Sequence, residues 1–104
     1  MRNINMYDYE SELVKSDKPV MMDFYADWCG PCKMISPVME QLDKKFGDDL
    51  TVVKVDVDKQ KALANEFDVM SIPTVILMKD GAVVDKSIGA RPLAYYESLV
   101  SKNI

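Results

Sequence analysis

Two cysteines three positions apart, in Cys29-Gly30-Pro31-Cys32, are the residues of this sequence best placed to do chemistry. They stand where an apolar run, Val20 to Tyr25, hands over to a segment of helical periodicity. On a first helical turn this spacing lies within disulfide reach, so the pair can open and close with little backbone movement. Cys29 falls at the helix N-terminus, facing unsatisfied N–H groups and the positive end of the dipole. That setting favours thiolate over thiol, and the thiolate is the attacking species in disulfide exchange. Cys32 lies one turn in; it is expected to be more buried than Cys29, which suits it to resolve a mixed disulfide. Pro31 lacks an N–H where no helical bond is lost, and its ring stiffens the turn. A fixed structural disulfide, or two unrelated core cysteines, is the plainer account of such a tetrapeptide, and the strand-to-helix context disfavours both.

Composition narrows the alternatives. The chain has 104 residues, two cysteines and no histidine, which excludes histidine dyads, Ser-His-Asp triads and imidazole metal sites. A tetrahedral zinc site needs two further soft or imidazole ligands that one chain does not supply. A metal bridged between two chains by paired cysteines stays open, but no metal is expected. A formal net charge of −4 offers no basic footprint for nucleic acid or an anionic membrane. No apolar run approaches the ~18–20 residues that span a bilayer. The segment Met1-Arg2-Asn3-Ile4-Asn5-Met6-Tyr7-Asp8 lacks the apolar core of a secretory signal, so cytoplasm is the expected compartment. There a cysteine pair is more often catalytic than a staple. Most of the eight methionines read as adaptable core filler, not as a metal or cofactor site. Residues 1–104 fit one domain, and nothing calls for more than a monomer.

The elements that must position the cysteines are legible in outline. A weak first strand is expected near Arg2 to Asn5. Asp8 is a candidate cap for a short helix running to about Ser16, ended by Asp17-Lys18-Pro19. Val20 to Tyr25 reads as a strand covered on both faces. From the Cys-Gly-Pro-Cys turn a helix should run to about Phe46, with Ile35, Val38, Met39, Leu42 and Phe46 at helical spacing and Gly47 as its stop. Pro37 should kink it. Leu50 to Val57 is a second buried strand, and Asp58 is a candidate cap for a helix carrying Leu63, Ala64 and Phe67. Thr74 to Met78, Asp80-Gly81 and Ala82 to Ile88 form a hairpin pattern. Pro92 opens a final helix bearing Leu93, Tyr96, Leu99 and Val100. The order (β)αβαβαββα predicts an α/β fold, a mixed central sheet of four to five strands flanked by four helices on both faces.

Several single residues stand out against these elements. Asp23 interrupts an apolar strand six positions before Cys29, and an unpaired buried carboxylate is costly. Either it points outward at a strand edge, or burial raises its pKa toward neutrality, where it can accept and return a proton. Lys54 similarly breaks a valine-rich strand, a pattern more typical of a snorkelling lysine. Pro73 alone is an ordinary strand start, and Gly89 alone an ordinary loop glycine. Trp28 is either a core tryptophan or a partly exposed aromatic beside the cysteines.

Trp28-Cys29-Gly30-Pro31-Cys32-Lys33 resembles the thioredoxin active-site hexapeptide, and the similarity extends over essentially the whole chain. The resemblance implies the thioredoxin fold and a general protein-disulfide reductase working by dithiol–disulfide exchange, with no bound cofactor. Asp23 would be the buried aspartate that deprotonates the resolving Cys32, and Lys54 would approach Asp23 and help to set its pKa. The Ile72–Pro73 bond would be cis and packed beside the cysteines, leaving Ile72 backbone groups to pair with an extended substrate segment. Ile88 and Gly89 would form another wall of that groove, with Trp28, Gly30 and Pro31 on the docking surface. Implied partners are disulfide-containing target proteins and a thioredoxin reductase. Tyr25 stands where many members have tryptophan, and Ser71 where glycine is frequent, which bears on substrate preference. Two rival readings remain. A disulfide oxidase or isomerase of the same fold is disfavoured by Gly30-Pro31, since a histidine between the cysteines would make the pair more oxidising. The other is a redox-independent interaction module using the same groove.

Overall fold

Val20-Met21-Met22-Asp23-Phe24-Tyr25 forms the centre of the sheet, as a strand apolar on both faces must. The computed structural model describes residues 1–104. In chain order the elements are β1 (Arg2–Asn3), α1 (Met6–Asp8), β2 (Val20–Tyr25), α2 (Gly30–Phe46), β3 (Thr51–Asp56), α3 (Lys61–Glu66), β4 (Thr74–Lys79), β5 (Ala82–Ile88) and α4 (Leu93–Ser101). A wider π-helical turn, Tyr9–Leu13, continues α1. The five strands lie in the order β1-β3-β2-β4-β5. β1 and β2 run parallel to β3, whereas β4 is antiparallel to both β2 and β5. The mixed sheet with four helices is the one expected from the order of elements.

Alternation along β2 divides the interior in two. Val20, Met22 and Phe24 point to the face covered by Leu13, Leu63 and Ala64. Met21 points to the face where Ile35, Met39 and Leu42 of α2 meet Tyr96 and Val100 of α4. Asp23 shares the parity of Met21 and so lies beneath α2. Each fully buried apolar side chain contributes roughly 1.5–3 kcal/mol relative to exposure. These two layers hold β2 and α2 in fixed relation.

The local signals behave mostly as read. Gly47 takes φ +49° at the end of α2, and Pro37 lies inside that helix without ending it. Asp80 and Gly81, at φ +54° and +79°, form the two-residue turn between β4 and β5 that hairpin twist prefers. Three expectations need correction. β1 stops at Asn3 because Asn5, not Asp8, caps the first helix. Asn5 Oδ1 accepts the Asp8 N–H at 2.9 Å, and Asp8 Oδ2 accepts the Asn5 N–H at 3.1 Å, a reciprocal box with Asp8 inside the helix. Asp58 does not cap α3. Asp56 accepts the amides of Asp58 and Lys59 at 3.0 and 3.3 Å, which leaves the Asp58 carboxylate free to turn elsewhere.

Candidate active site

Cys29 is the N-cap residue of α2, extended at φ −86° and ψ 112°, and its Sγ accepts the Cys32 amide N–H at 3.2 Å. The two residues form a disulfide with Cα atoms 5.3 Å apart. The helix N-terminus and this amide both favour negative charge on the Cys29 sulfur once the bond is reduced. One expectation is not met. Cys29 and Cys32 are 4% and 3% exposed, so neither is markedly the more accessible. Ala26, Tyr25, Val57 and Ile72 pack against the two cysteines.

The sulfurs differ instead in what they border. Cys32 lines a cleft of about 130 Å³ together with Asp23, Tyr25, Lys54 and Ser36, whereas Cys29 takes no part in it. Asp23 is 1% exposed at the end of the α2 face of the sheet, and its Oδ1 has no hydrogen-bond partner. Burial raises its carboxyl from 3.8 to about 6, and the positive charge of Lys54 partly opposes that rise. A carboxyl balanced near 6 can take a proton and return it close to neutral pH.

Lys54 is the register partner of Asp23 across β2 and β3. Its ammonium does not close on the carboxylate: no ion pair within 4.0 Å joins them. It lies 4.3 Å from the centroid of the Tyr25 ring. The expected approach of Lys54 to Asp23 is therefore met in register and in the shared cleft, but not as a contact pair.

The Ile72–Pro73 bond is cis. Thr74 Oγ1 donates to the Ser71 carbonyl at 2.7 Å and closes the turn before β4. The Gly89 N–H donates to the Pro73 carbonyl at 2.8 Å, which sets Ile88–Gly89 beside Ile72–Pro73. Gly89 has φ +88°, a conformation that a side chain resists. Gly30 and Pro31 are exposed at the start of α2.

Trp28 is 70% exposed, and its Nε1–H donates to Asp58 Oδ2 at 2.8 Å. With Val57, Val69, Met70, Ser71 and Ile72 it lines an apolar concavity of about 370 Å³ that shares no residue with the cleft of Asp23. Sequence reasoning missed Asp58 as the anchor of Trp28, and Met70 as a groove residue although it is 88% exposed. Val69-Met70, an apolar pair between Asp68 and Ser71, was the one available signal. No three His, Cys, Asp or Glu side chains converge to hold a metal ion. No helix is long and apolar enough to cross a membrane.

The family model described as thioredoxin matches residues 1–102. A thioredoxin of Bacillus subtilis (strain 168) is 49% identical over 89 residues, covering 86% of each chain. A thioredoxin of Haemophilus influenzae is 43% identical over 102 residues, covering 98% of this chain and 95% of its own. A thioredoxin of Mycolicibacterium smegmatis is 52% identical over 85 residues, covering 80% of this chain and 76% of its own.

Proposed function

The chain belongs to the thioredoxin family of thiol–disulfide oxidoreductases, and from that premise we propose how its residues divide the reduction of protein disulfides. The observation that carries the division is that Cys32 shares a cleft with Asp23 while Cys29 caps α2 outside it. Cys29, as thiolate, attacks one sulfur of a target disulfide and expels the other as a thiolate, leaving a mixed disulfide. Asp23 takes the proton of the Cys32 thiol. The Cys32 thiolate then attacks Cys29 Sγ, the second target sulfur leaves as thiolate, and the Cys29–Cys32 disulfide closes. Two electrons have passed to the target. A carboxyl near 6 matches that proton transfer.

The target's chain docks on the apolar concavity of Trp28, Met70 and Ile72, with the exposed ends of Gly30-Pro31 and Ile88–Gly89 as neighbouring walls. Pro73 orients Ile72 so that its backbone pairs with an extended segment of the target. Lys54 tempers the Asp23 carboxyl. A thioredoxin reductase returns the electrons, in the cytoplasm, to one domain spanning residues 1–104. The test is insulin-disulfide reduction coupled to NADPH oxidation by a thioredoxin reductase. Turnover by the wild type and none by Cys29→Ser is the expected result; reduction of insulin by Cys29→Ser at the wild-type rate would overturn the reading.

A further inference from the structure

Tyr25 follows Asp23 by two positions on β2, so both side chains leave the same face of the sheet. Its hydroxyl reaches across β3 and donates to Asn3 Oδ1 of β1 at 2.7 Å. Asn3 is in turn the register partner of Lys54 on β3. The ring is thus held at both ends, by β2 and by its tether to β1. Over that ring, 4.3 Å from its centroid, lies the Lys54 ammonium.

Lys54 and Asp23 face one another in register, yet the ammonium rests on the aromatic face and not on the carboxylate. A flexible lysine that lines the same cleft as an unpartnered carboxylate is free to close on it. We infer that Tyr25 is a positioning residue, whose tethered ring seats the Lys54 ammonium beside Asp23 and keeps it off the carboxylate oxygens. The inference rests on the proposed role of Asp23 as the proton acceptor of Cys32. Contact with an ammonium would occupy a carboxylate oxygen and hold the group in its charged form. At a remove the same ammonium only moderates the effect of burial, and Oδ1 stays free for the proton of Cys32.

Few other groups face Asp23. Lys33 and Cys32 come from α2, Asp27 from the segment before it, Tyr25 from β2 and Lys54 from β3, all around the same cleft. From α4, the Tyr96 hydroxyl is near enough for Asp23 to raise its pKa. Lys54 and Lys33 are the cations of the set. Lys54 alone among the cleft's charged side chains is held by an aromatic ring.

The test follows the Asp23 carboxyl directly, by carbon NMR of aspartate-labelled oxidised protein across pH, alongside the pH profile of release from a Cys29–peptide mixed disulfide. Tyr25→Leu removes the seat, so the Asp23 midpoint should fall from about 6 by roughly one unit as Lys54 closes on it, and the release profile should move acid with it. Tyr25→Phe keeps the ring without the tether and should give a smaller shift in the same direction. Tyr25→Trp restores an aromatic face and should hold the midpoint near the wild-type value. In a Lys54→Met background, Tyr25→Leu should no longer move it. An unchanged or raised midpoint in Tyr25→Leu, or an equal fall in the Lys54→Met background, overturns the inference and leaves the role of Asp23 untouched. A midpoint that falls while the release profile stays fixed supports the seating of Lys54 and overturns Asp23 as the acceptor.

Discussion

Replacing Asp23 with asparagine should stabilise the protein, and by an amount that depends on pH. In the folded chain the carboxyl titrates at about 6 instead of 3.8, a little over two units higher. At about 1.4 kcal/mol per unit, burying the ionised form opposes folding by roughly 3 kcal/mol above both values. The sign follows from proton binding. Between 3.8 and about 6 the folded state holds a proton on Asp23 that the unfolded state has released, so the contribution of this carboxyl to stability falls as pH climbs through that window and levels off above it. Asparagine carries no charge to bury, but its amide needs partners in the same cleft, at a loss of about 1 kcal/mol. The net gain for Asp23→Asn is then about 2 kcal/mol at pH 8, near 10 °C in Tm for a chain of this size. It should vanish at about pH 4.5 and become a small loss at pH 4. Urea unfolding of the oxidised protein at pH 4, 6 and 8, at constant ionic strength, reads both numbers. A gain that is the same at all three values, or one that grows as pH falls from 8 to 4, would refute the assignment of a buried, ionised Asp23.

Three further outcomes follow from the site. Cys32→Ser should accumulate covalent complexes with target proteins, because the mixed disulfide at Cys29 then has no resolver; Cys29→Ser should accumulate none. Gels run without reductant distinguish the two, and trapping by Cys29→Ser would reverse the roles. Trp28→Ala removes one wall of the 370 Å³ concavity and leaves Asp58 without its partner at 2.8 Å; loss of such an aromatic contact should raise KM for insulin several-fold, about 1 kcal/mol, with a smaller effect on kcat. Gly89→Ala meets no atom within 4 Å but must hold φ +88°, so it should lose about 1 kcal/mol in urea unfolding through backbone strain alone. Unchanged stability would mean that the loop relaxes.

Elements whose signals are local and redundant could be read from the sequence. The central strand, the long helix and its glycine stop, and the Asp80-Gly81 turn all stand where apolar spacing and turn chemistry put them. Helix starts were harder, because Asn, Asp and their neighbours compete for the same amides. Asn5 and Asp8 sit three apart and bond reciprocally, so either could have been the cap. Asp56 accepts from the amides of Asp58 and Lys59, α3 starts only at Lys61 after Gln60, and the Asp58 carboxylate bonds Trp28 instead. That bond joins residues 30 positions apart, and no pattern within one segment announces it. The docking concavity was hidden for the same reason. Trp28, Val57 and Met70 meet only once β2, β3 and the turn before β4 are assembled.

The site depends on strand parity more than on any one contact. Odd-numbered Met21, Asp23 and Tyr25 turn toward α2, and even-numbered Met22 and Phe24 turn toward α3 and the first helix. A carboxylate one position earlier or later would enter the opposite core, with the whole sheet between it and Cys32. On its own face, the same helix that offers its N-terminus to Cys29 lies over Asp23 and removes it from water. One element therefore favours negative charge on Cys29 and, through burial, raises the proton affinity of Asp23. A carboxyl raised to about 6 beside Cys32 meets the condition for the proposed passage of that thiol's proton to Asp23 and back within a single turnover. The opposing effects need no metal and no histidine, only an apolar strand, a helix start and an aspartate of the right parity.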